Sequence, residues 1–193
     1  MKDNWSKFEW VRNGENGGNR EGYGPDLFQN FSEDERERAE RLLIEDYYNG
    51  DVFAASGLAM LLGEKAELFF KKELIREDIS LVEKIHLSAL LSYASKDFSH
   101  SEYLLNYLDN ENIKIKSMAI KNLDMIRNII PNSAIGKLLG SLRKETDRDQ
   151  RYKLGRLISD ISKDESLKKL AIDCKFSETE SERVSTLKNY GLF

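Results

Sequence analysis

The sequence is poor in the residues that crosslink small proteins and that interrupt helices. Cys174 is the only cysteine among 193 residues, which excludes an intrachain disulfide and the paired-cysteine zinc and redox motifs. Proline occurs only as Pro25 and Pro131. Because one proline costs about 3 kcal/mol inside a helix, the long stretch between these two residues is favourable for helices.

Long hydrophobic runs are missing too. The longest nearly apolar run, from Val52 to Leu62, is about half of the ~20 residues that a membrane-spanning helix needs. The N-terminal residues, with Trp5, Glu9 and Trp10, lack the apolar segment of a secretory signal. We therefore expect a cytoplasmic protein that does not enter a membrane.

The sequence also lacks common catalytic and ligand-binding motifs. No P-loop, Gly-x-Ser-x-Gly or His-Glu-x-x-His motif occurs. His86 and His100 have no partner at metal-ligand spacing, and Cys174 has no patterned base. We expect no enzyme activity, no metal, no cofactor and no small-molecule substrate. His86 is predicted at the edge of the core with a hydrogen bond to the backbone, and Cys174 as a buried apolar side chain.

Charge is distributed unevenly along the chain. Residues 1–51 contain 7 basic and 13 acidic residues, and residues 111–156 contain 11 and 5, so their net charges are −6 and +6. Such asymmetry can steer a charged partner, although solvated helix faces of mixed sign explain it as well. The acidic residues within the basic stretch and the overall pI of about 5.4 argue against nucleic-acid binding.

The character of the sequence changes near residue 32. Before it, Asn13 to Asp26 is rich in glycine, asparagine and charge, which predicts a flexible connector rather than a nucleotide-binding loop. Ser32 and Glu35 have the form of a capping box at the start of a helix. Further helices are predicted at roughly 51–62, 64–75, 79–94, 99–108, 112–130, 132–144, 148–162, 164–174 and 178–190. We predict an N-terminal arm with a glycine-rich connector over 1–31 and a helical domain over 32–193.

Apolar residues recur at a fixed interval within the helical part. Three sets repeat every 34 residues: Phe70, Leu104 and Leu138; Leu74, Leu108 and Leu142; and Ala89, Leu123 and Leu157. A helix pair cannot bury its apolar face alone, so such repetition predicts helix pairs that stack and share one core.

The segment from Tyr103 to Leu123 resembles the HEAT repeat. In that pattern an aspartate-containing turn precedes a Val-Arg-like pair, then alanine, then leucine. The corresponding residues here are Asp109, Ile115, Lys116, Ala119 and Leu123. The neighbouring copies depart from the pattern at Glu83, His86, Gln150 and Arg151. The resemblance implies an all-α fold, a right-handed α-α superhelix of about five stacked helix pairs whose second helices line a concave face.

Two surfaces are candidates for partner binding. The first, the concave ridge, consists of the aligned polar residues Lys84, Ser88, Ser117, Lys121, Asp124, Tyr152, Arg156 and Ser159. The second, the acidic aromatic end, consists of Glu45, Asp46, Tyr47, Tyr48 and Asp51. The ridge is equally compatible with a solvated helix face, and Tyr47 with a core position.

These features together favour a non-catalytic protein-binding module. In general appearance the chain is similar to small, acidic, divergent HEAT-type bacterial immunity proteins. That likeness implies a cognate toxin domain as the partner and inhibition by covering the toxin's active site or substrate channel. The alternatives are a HEAT-type scaffold or regulatory adaptor, and a HEAT-like nucleic-acid-binding protein of the DNA glycosylase type.

Overall fold

The structure is a computed structural model that describes residues 3–14, 23–162, 164–170, 173–174 and 179–191. Within these ranges the regular structure is helical and no strand occurs, which confirms the all-α prediction. No helix in the described ranges is long and apolar enough to cross a membrane.

The chain divides into two compact units, residues 1–83 and 84–193. The predicted arm, residues 1–31, falls in the first unit, and residues 15–22 of its glycine-rich connector lie outside the described residues. The predicted helices at 164–174 and 178–190 are also described only in part.

The first unit is built from short helices. Its helices are α1 (Asn4–Arg12), α2 (Glu33–Tyr48), α3 (Val52–Leu62) and α4 (Ala66–Leu74), with 3₁₀ turns at Pro25–Phe28 and Gly63–Lys65. The predicted capping box is present, because the Ser32 side chain accepts the Glu35 N–H and the Glu35 carboxylate accepts the Ser32 N–H. The sequence therefore placed the start of α2 correctly.

Helix α1 packs through an aromatic cluster. Phe8 is fully buried, and its ring centroid lies 6.0 Å from those of Tyr23, Phe28 and Phe31. The first part of the predicted arm is therefore a short helix. Asp3 caps the start of this helix, because its side chain accepts a hydrogen bond from the backbone N–H of Ser6.

The second unit contains two helix pairs. A 3₁₀ helix at Phe98–Tyr107 packs against α6 (Ile113–Met125), α7 (Ile135–Lys144) packs against α8 (Arg148–Ile161), and α6 also contacts α8. Before them, α5 (Leu81–Ser95) begins in the first unit and ends in the second, and α9 (Glu180–Asn189) lies near the C-terminus.

Two of these elements differ from the prediction. The segment predicted as a helix at 99–108 is a 3₁₀ helix, and the helix predicted at 112–130 ends at Met125, followed by a 3₁₀ turn at Arg127–Ile129. The α-helix ends because Ile126, with φ −103° and ψ 15°, leaves the helical conformation. Ile130 is extended, with ψ 122°, as expected for a residue that precedes a proline.

The recurring apolar residues of the second unit are buried in one core. Leu104 and Leu138, which are 34 residues apart, are fully buried. Leu123 and Leu157, the corresponding pair of another repeated set, are fully buried as well. Helix pairs offset by 34 residues therefore place equivalent side chains in the same core, as the repetition predicted.

Ion pairs join the turns of the two helix pairs. Lys144 Nζ lies 2.5 Å from Asp109 Oδ2, and Lys116 Nζ lies 2.7 Å from Glu145 Oε2. Asp109 and Lys116 are two of the residues that carry the resemblance to the HEAT repeat, and both contact the turn of the following pair.

Candidate functional site

Side chains of α6 and α8 line a groove in the second unit. The lining residues are Ser117, Ile120, Lys121 and Asp124 of α6 and Asp149, Tyr152, Lys153 and Arg156 of α8. The cavity between them has a volume of about 290 Å³. Five of these eight residues belong to the predicted concave ridge, so the structure brings most of that ridge together at one place.

Helical periodicity explains why these side chains share one groove. On α6 the polar lining residues are spaced at i, i+4 and i+7 from Ser117, and on α8 the same spacing starts at Asp149. The helices themselves begin at defined caps, since Asn112 caps α6 and Asp147 caps α8 through side-chain oxygens that accept backbone N–H groups. Two regular helices thus hold the groove walls at fixed positions.

The charges in the groove are only partly paired. Arg156 Nη2 donates to Asp124 Oδ2 at 2.5 Å, which links the two walls. Lys121 and Lys153 form no ion pair among the residues that the structure describes. Lys121 is exposed and Lys153 is half-buried, so both ammonium groups are within reach of a bound molecule.

The other residues of the predicted ridge lie elsewhere. Lys84 is exposed but does not line the groove. Ser88 is 2% exposed and its hydroxyl donates to the Lys84 carbonyl, while Ser159 is 7% exposed and its hydroxyl lies 2.8 Å from the carbonyl oxygens of Gly155 and Leu167. The two serine side chains therefore hydrogen-bond inside the second unit instead of facing the groove.

Three lining residues were not predicted, namely Ile120, Asp149 and Lys153. The sequence carried a signal for them, because Asp149 and Lys153 precede Arg156 by seven and three positions on one helix and Ile120 follows Ser117 by three. Aligning the repeated segments identified only polar positions that recur from copy to copy. Helical spacing would have identified all residues on one side of α6 and of α8, including these three.

The acidic aromatic end is largely neutralised by its own neighbours. Both oxygens of Asp46 accept hydrogen bonds from the Arg12 guanidinium, at 2.6 and 2.7 Å. The Tyr48 hydroxyl donates to Glu73 Oε1 at 2.7 Å, and this hydrogen bond raises the pKa of Tyr48. Asp51 caps α3 by accepting the N–H of the second residue of that helix. Among the predicted acids of this surface, only Glu45 is exposed.

Tyr47 is a core residue rather than part of an exposed patch. Its side chain is 8% exposed, and its ring lies edge-on to Phe69 with 5.5 Å between centroids. Burial, together with the negative charge of Glu73, raises the pKa of Tyr47 to about 12. Within the acidic aromatic end, Glu45 and Tyr48 are thus exposed, and the half-buried Asp46 and Asp51 line a cavity of about 190 Å³ together with Arg12.

His86 and Cys174 are at least half-buried in the second unit. His86 is half-buried, as predicted, and its Nδ1 lies 2.9 Å from the side-chain oxygen of Asn122. Cys174 is 1% exposed, and burial raises the pKa of its thiol to about 11. In the described part of the chain no group of three or more His, Cys, Asp or Glu side chains is arranged to hold a metal ion.

Comparison with protein-family models, curated protein sequences and solved structures finds no match to this chain.

Proposed function

We propose that this protein is a non-catalytic binding module that holds a protein partner against the groove between α6 and α8. The observation that carries the proposal is the arrangement of the groove. It combines, on two helices, a tyrosine, an arginine and two lysines that form no ion pair with any residue that the structure describes. Tyrosine and arginine are enriched among the residues that contribute most to protein–protein binding.

The cognate partner in this proposal is a bacterial toxin domain, which the protein inhibits by covering its active site or substrate channel. Support comes from the chain's acidic composition, its single cysteine and its divergent helix pairs, features by which the chain is similar in general appearance to HEAT-type immunity proteins. Since an immunity protein has to outcompete the toxin's substrate, we expect a dissociation constant that is nanomolar or lower.

The test begins with the whole protein purified from the organism that encodes it, followed by identification of the bound protein by mass spectrometry. The dissociation constant of the purified pair is then measured for the wild type, Lys121→Glu and Arg156→Glu. Both substitutions reverse a charge in the groove, so both are expected to weaken binding at least tenfold. Lys137→Glu is the matched control, because Lys137 is exposed on α7 and does not line the groove.

Two results would contradict the proposal at different levels. Unchanged affinity in both groove variants, with unchanged circular dichroism, would show that the partner binds elsewhere. Expression of the identified partner in bacterial cells, with and without this protein, tests the toxin assignment separately. A partner that does not slow growth would reject that assignment and leave the binding module in place.

A further inference from the structure

We propose that the groove binds an acidic segment of the partner that inserts one apolar side chain between α6 and α8, and that Asp124 competes with this segment for Arg156. The inference rests on the proposed function, since it names the chemistry of what the groove holds. Three features of the groove support it: its apolar floor, two lysines without an ion pair in the described part of the chain, and the partial exposure of the Asp124–Arg156 pair.

The floor of the groove is apolar. Ile120 is a buried core residue, 1% exposed, that closes the bottom of the groove, and the half-buried Tyr152 lies on the opposite wall. The aliphatic stems of Lys121 and Lys153 add further apolar surface, because long basic side chains place only their charged ends in water. A cavity of about 290 Å³ has room for a side chain of the size of leucine or phenylalanine, but not for a folded element.

The rim of the groove is cationic. With Asp124 occupied by Arg156, the lining charges without an ion pair in the described residues are those of Lys121, Lys153 and Asp149. Two positive charges then face one negative charge. Carboxylates beside the inserted apolar side chain would pair with the lysines, whereas a basic segment would meet like charge.

Asp124 is positioned to act as an internal competitor. Its carboxylate contacts Arg156 at 2.5 Å and Arg127 at 3.4 Å, so it neutralises cations that a ligand carboxylate could otherwise reach. The side chain of Arg156 is 46% exposed, and ion pairs with an exposed partner contribute little to stability. Exchange of Asp124 for a carboxylate of the partner therefore has a small energetic cost.

A displayed library of random peptides provides a probe that does not require the natural partner. The full-length protein is the bait, and peptides that also bind the Lys121→Glu, Lys153→Glu double variant are removed. The remaining peptides are expected to be enriched in aspartate and glutamate around one aromatic or aliphatic residue. Enrichment of basic or uncharged peptides, or no peptide that distinguishes the two baits, would overturn the inference.

The best enriched peptide then tests the competition directly. Lys121→Glu is expected to weaken its binding by about three- to tenfold, since the substitution replaces an attractive charge by a repulsive one. Asp124→Asn is expected to strengthen it by about two- to fivefold, because Arg156 becomes available. Lys137→Glu changes the net charge by the same amount as Lys121→Glu and should change the affinity by less than about twofold at 0.15 M salt, where distant charges are screened.

The sign of the Asp124→Asn effect is the decisive measurement. Unchanged or weaker binding of the acidic peptide would reject competition by Asp124. NMR chemical-shift changes that the peptide causes should be centred on Ile120, Lys121 and Tyr152, and changes confined to other residues would reject the groove as its site.

The outcome is separable from that of the proposed function. If the natural partner binds through the groove but the selected peptides are not acidic, the binding module stands and this inference fails. If the acidic peptide binds the groove but groove variants leave the natural partner's affinity unchanged, the proposed function fails instead. A single-stranded oligonucleotide serves as a further probe. If the protein bound the oligonucleotide more tightly than the acidic peptide, and if Lys121→Glu abolished this binding, the ligand of the groove would be a nucleic acid and the inference would be overturned.

Discussion

The carboxylate of Asp124 on α6 and the guanidinium of Arg156 on α8 lie 2.5 Å apart, although 32 residues separate them in the sequence. This pair is partly exposed, with 21% of the Asp124 side chain and 46% of the Arg156 side chain accessible to solvent. A second ion pair between the same two helix pairs is different, because the Glu145 side chain that pairs with Lys116 is only 4% exposed.

We expect the two pairs to differ in their contribution to stability. Asp124→Asn should lower the free energy of unfolding by less than about 1 kcal/mol, since exposed ion pairs contribute little. Glu145→Gln should lower it by roughly 2 kcal/mol or more, because a buried carboxylate that accepts charged and backbone hydrogen bonds is lost. Urea denaturation followed by circular dichroism checks both, and equal losses would show that exposure does not separate the pairs.

The core of the second unit is tested at Leu123. The residue is fully buried on α6, so Leu123→Ala should lower the free energy of unfolding by about 2–5 kcal/mol through lost burial and the cavity left behind. Ile113→Ala on the same helix is the control, since Ile113 is 49% exposed and should lose less than about 1 kcal/mol. Circular dichroism is the suitable signal, because both tryptophans of the chain lie in the first unit.

Gly57 is a close-packing position in the first unit. A Cβ atom added there would lie 2.8 Å from Leu43 Cδ2 and 2.9 Å from Tyr23 Cδ2, and both of these side chains are buried. Gly57→Ala should therefore destabilise the first unit by about 1–3 kcal/mol, which tryptophan fluorescence during urea denaturation measures.

Gly136 on α7 provides the matched control for Gly57. A Cβ atom at Gly136 would meet no atom within 4 Å, so Gly136→Ala should raise stability by up to about 1 kcal/mol through helix propensity. If Gly57→Ala raised stability as Gly136→Ala is expected to do, the tight packing at Gly57 would have no energetic consequence.

The hydroxyl of Tyr48 holds a buried carboxylate. Glu73 is 1% exposed, and its two oxygens accept hydrogen bonds from Tyr48 at 2.7 Å and from Arg76 at 2.8 Å. Tyr48→Phe removes one of them while preserving the ring, so it should destabilise the first unit by about 1.5–3 kcal/mol. An unchanged urea midpoint of tryptophan fluorescence would show that Arg76 alone satisfies the carboxylate.

Stability should fall at alkaline pH because of Cys174. The pKa of its thiol is about 11 in the folded protein against 9.0 for a free thiol. Between these values the unfolded state holds fewer protons than the folded state, so the stabilisation is complete below pH 9 and is lost as the pH rises towards 11. The expected loss between pH 8.5 and 10.5 is roughly 2 kcal/mol.

Comparison with Cys174→Ala isolates this contribution from the titration of lysines and tyrosines. The variant will have its own baseline stability, so the slope of stability against pH is compared rather than the value at one pH. Parallel slopes for the two proteins would contradict the assignment to Cys174.

The sequence predicted those parts of the fold that depend on local chemistry and on periodicity. Ser32 and Glu35 identified the start of α2, and the 34-residue interval identified Leu104, Leu138, Leu123 and Leu157 as core residues. The first signal depends on residues that are neighbours in the sequence, and the second depends on repeated positions. Neither requires knowledge of which distant residues come into contact.

The parts that depend on tertiary partners were less accessible from the sequence. Asp46 and Tyr48 appeared as free acidic and aromatic groups because their partners Arg12 and Glu73 are distant in the sequence. Ser159 appeared on a polar face, yet its hydroxyl bonds to backbone carbonyls and is removed from solvent. Periodicity cannot distinguish a polar side chain that faces a partner from one that satisfies a buried backbone group.

The 34-residue interval also determines which changes of length the second unit can absorb. Each residue turns an α-helix by about 100°, so a single deletion within α6 would rotate every later side chain of that helix away from its former direction. Deletion or duplication of 34 residues, by contrast, puts Leu138 in the place of Leu104 and Leu157 in the place of Leu123, and all four leucines are fully buried. We therefore expect the second unit to tolerate the loss or gain of one whole helix pair better than a change of one or two residues inside a helix.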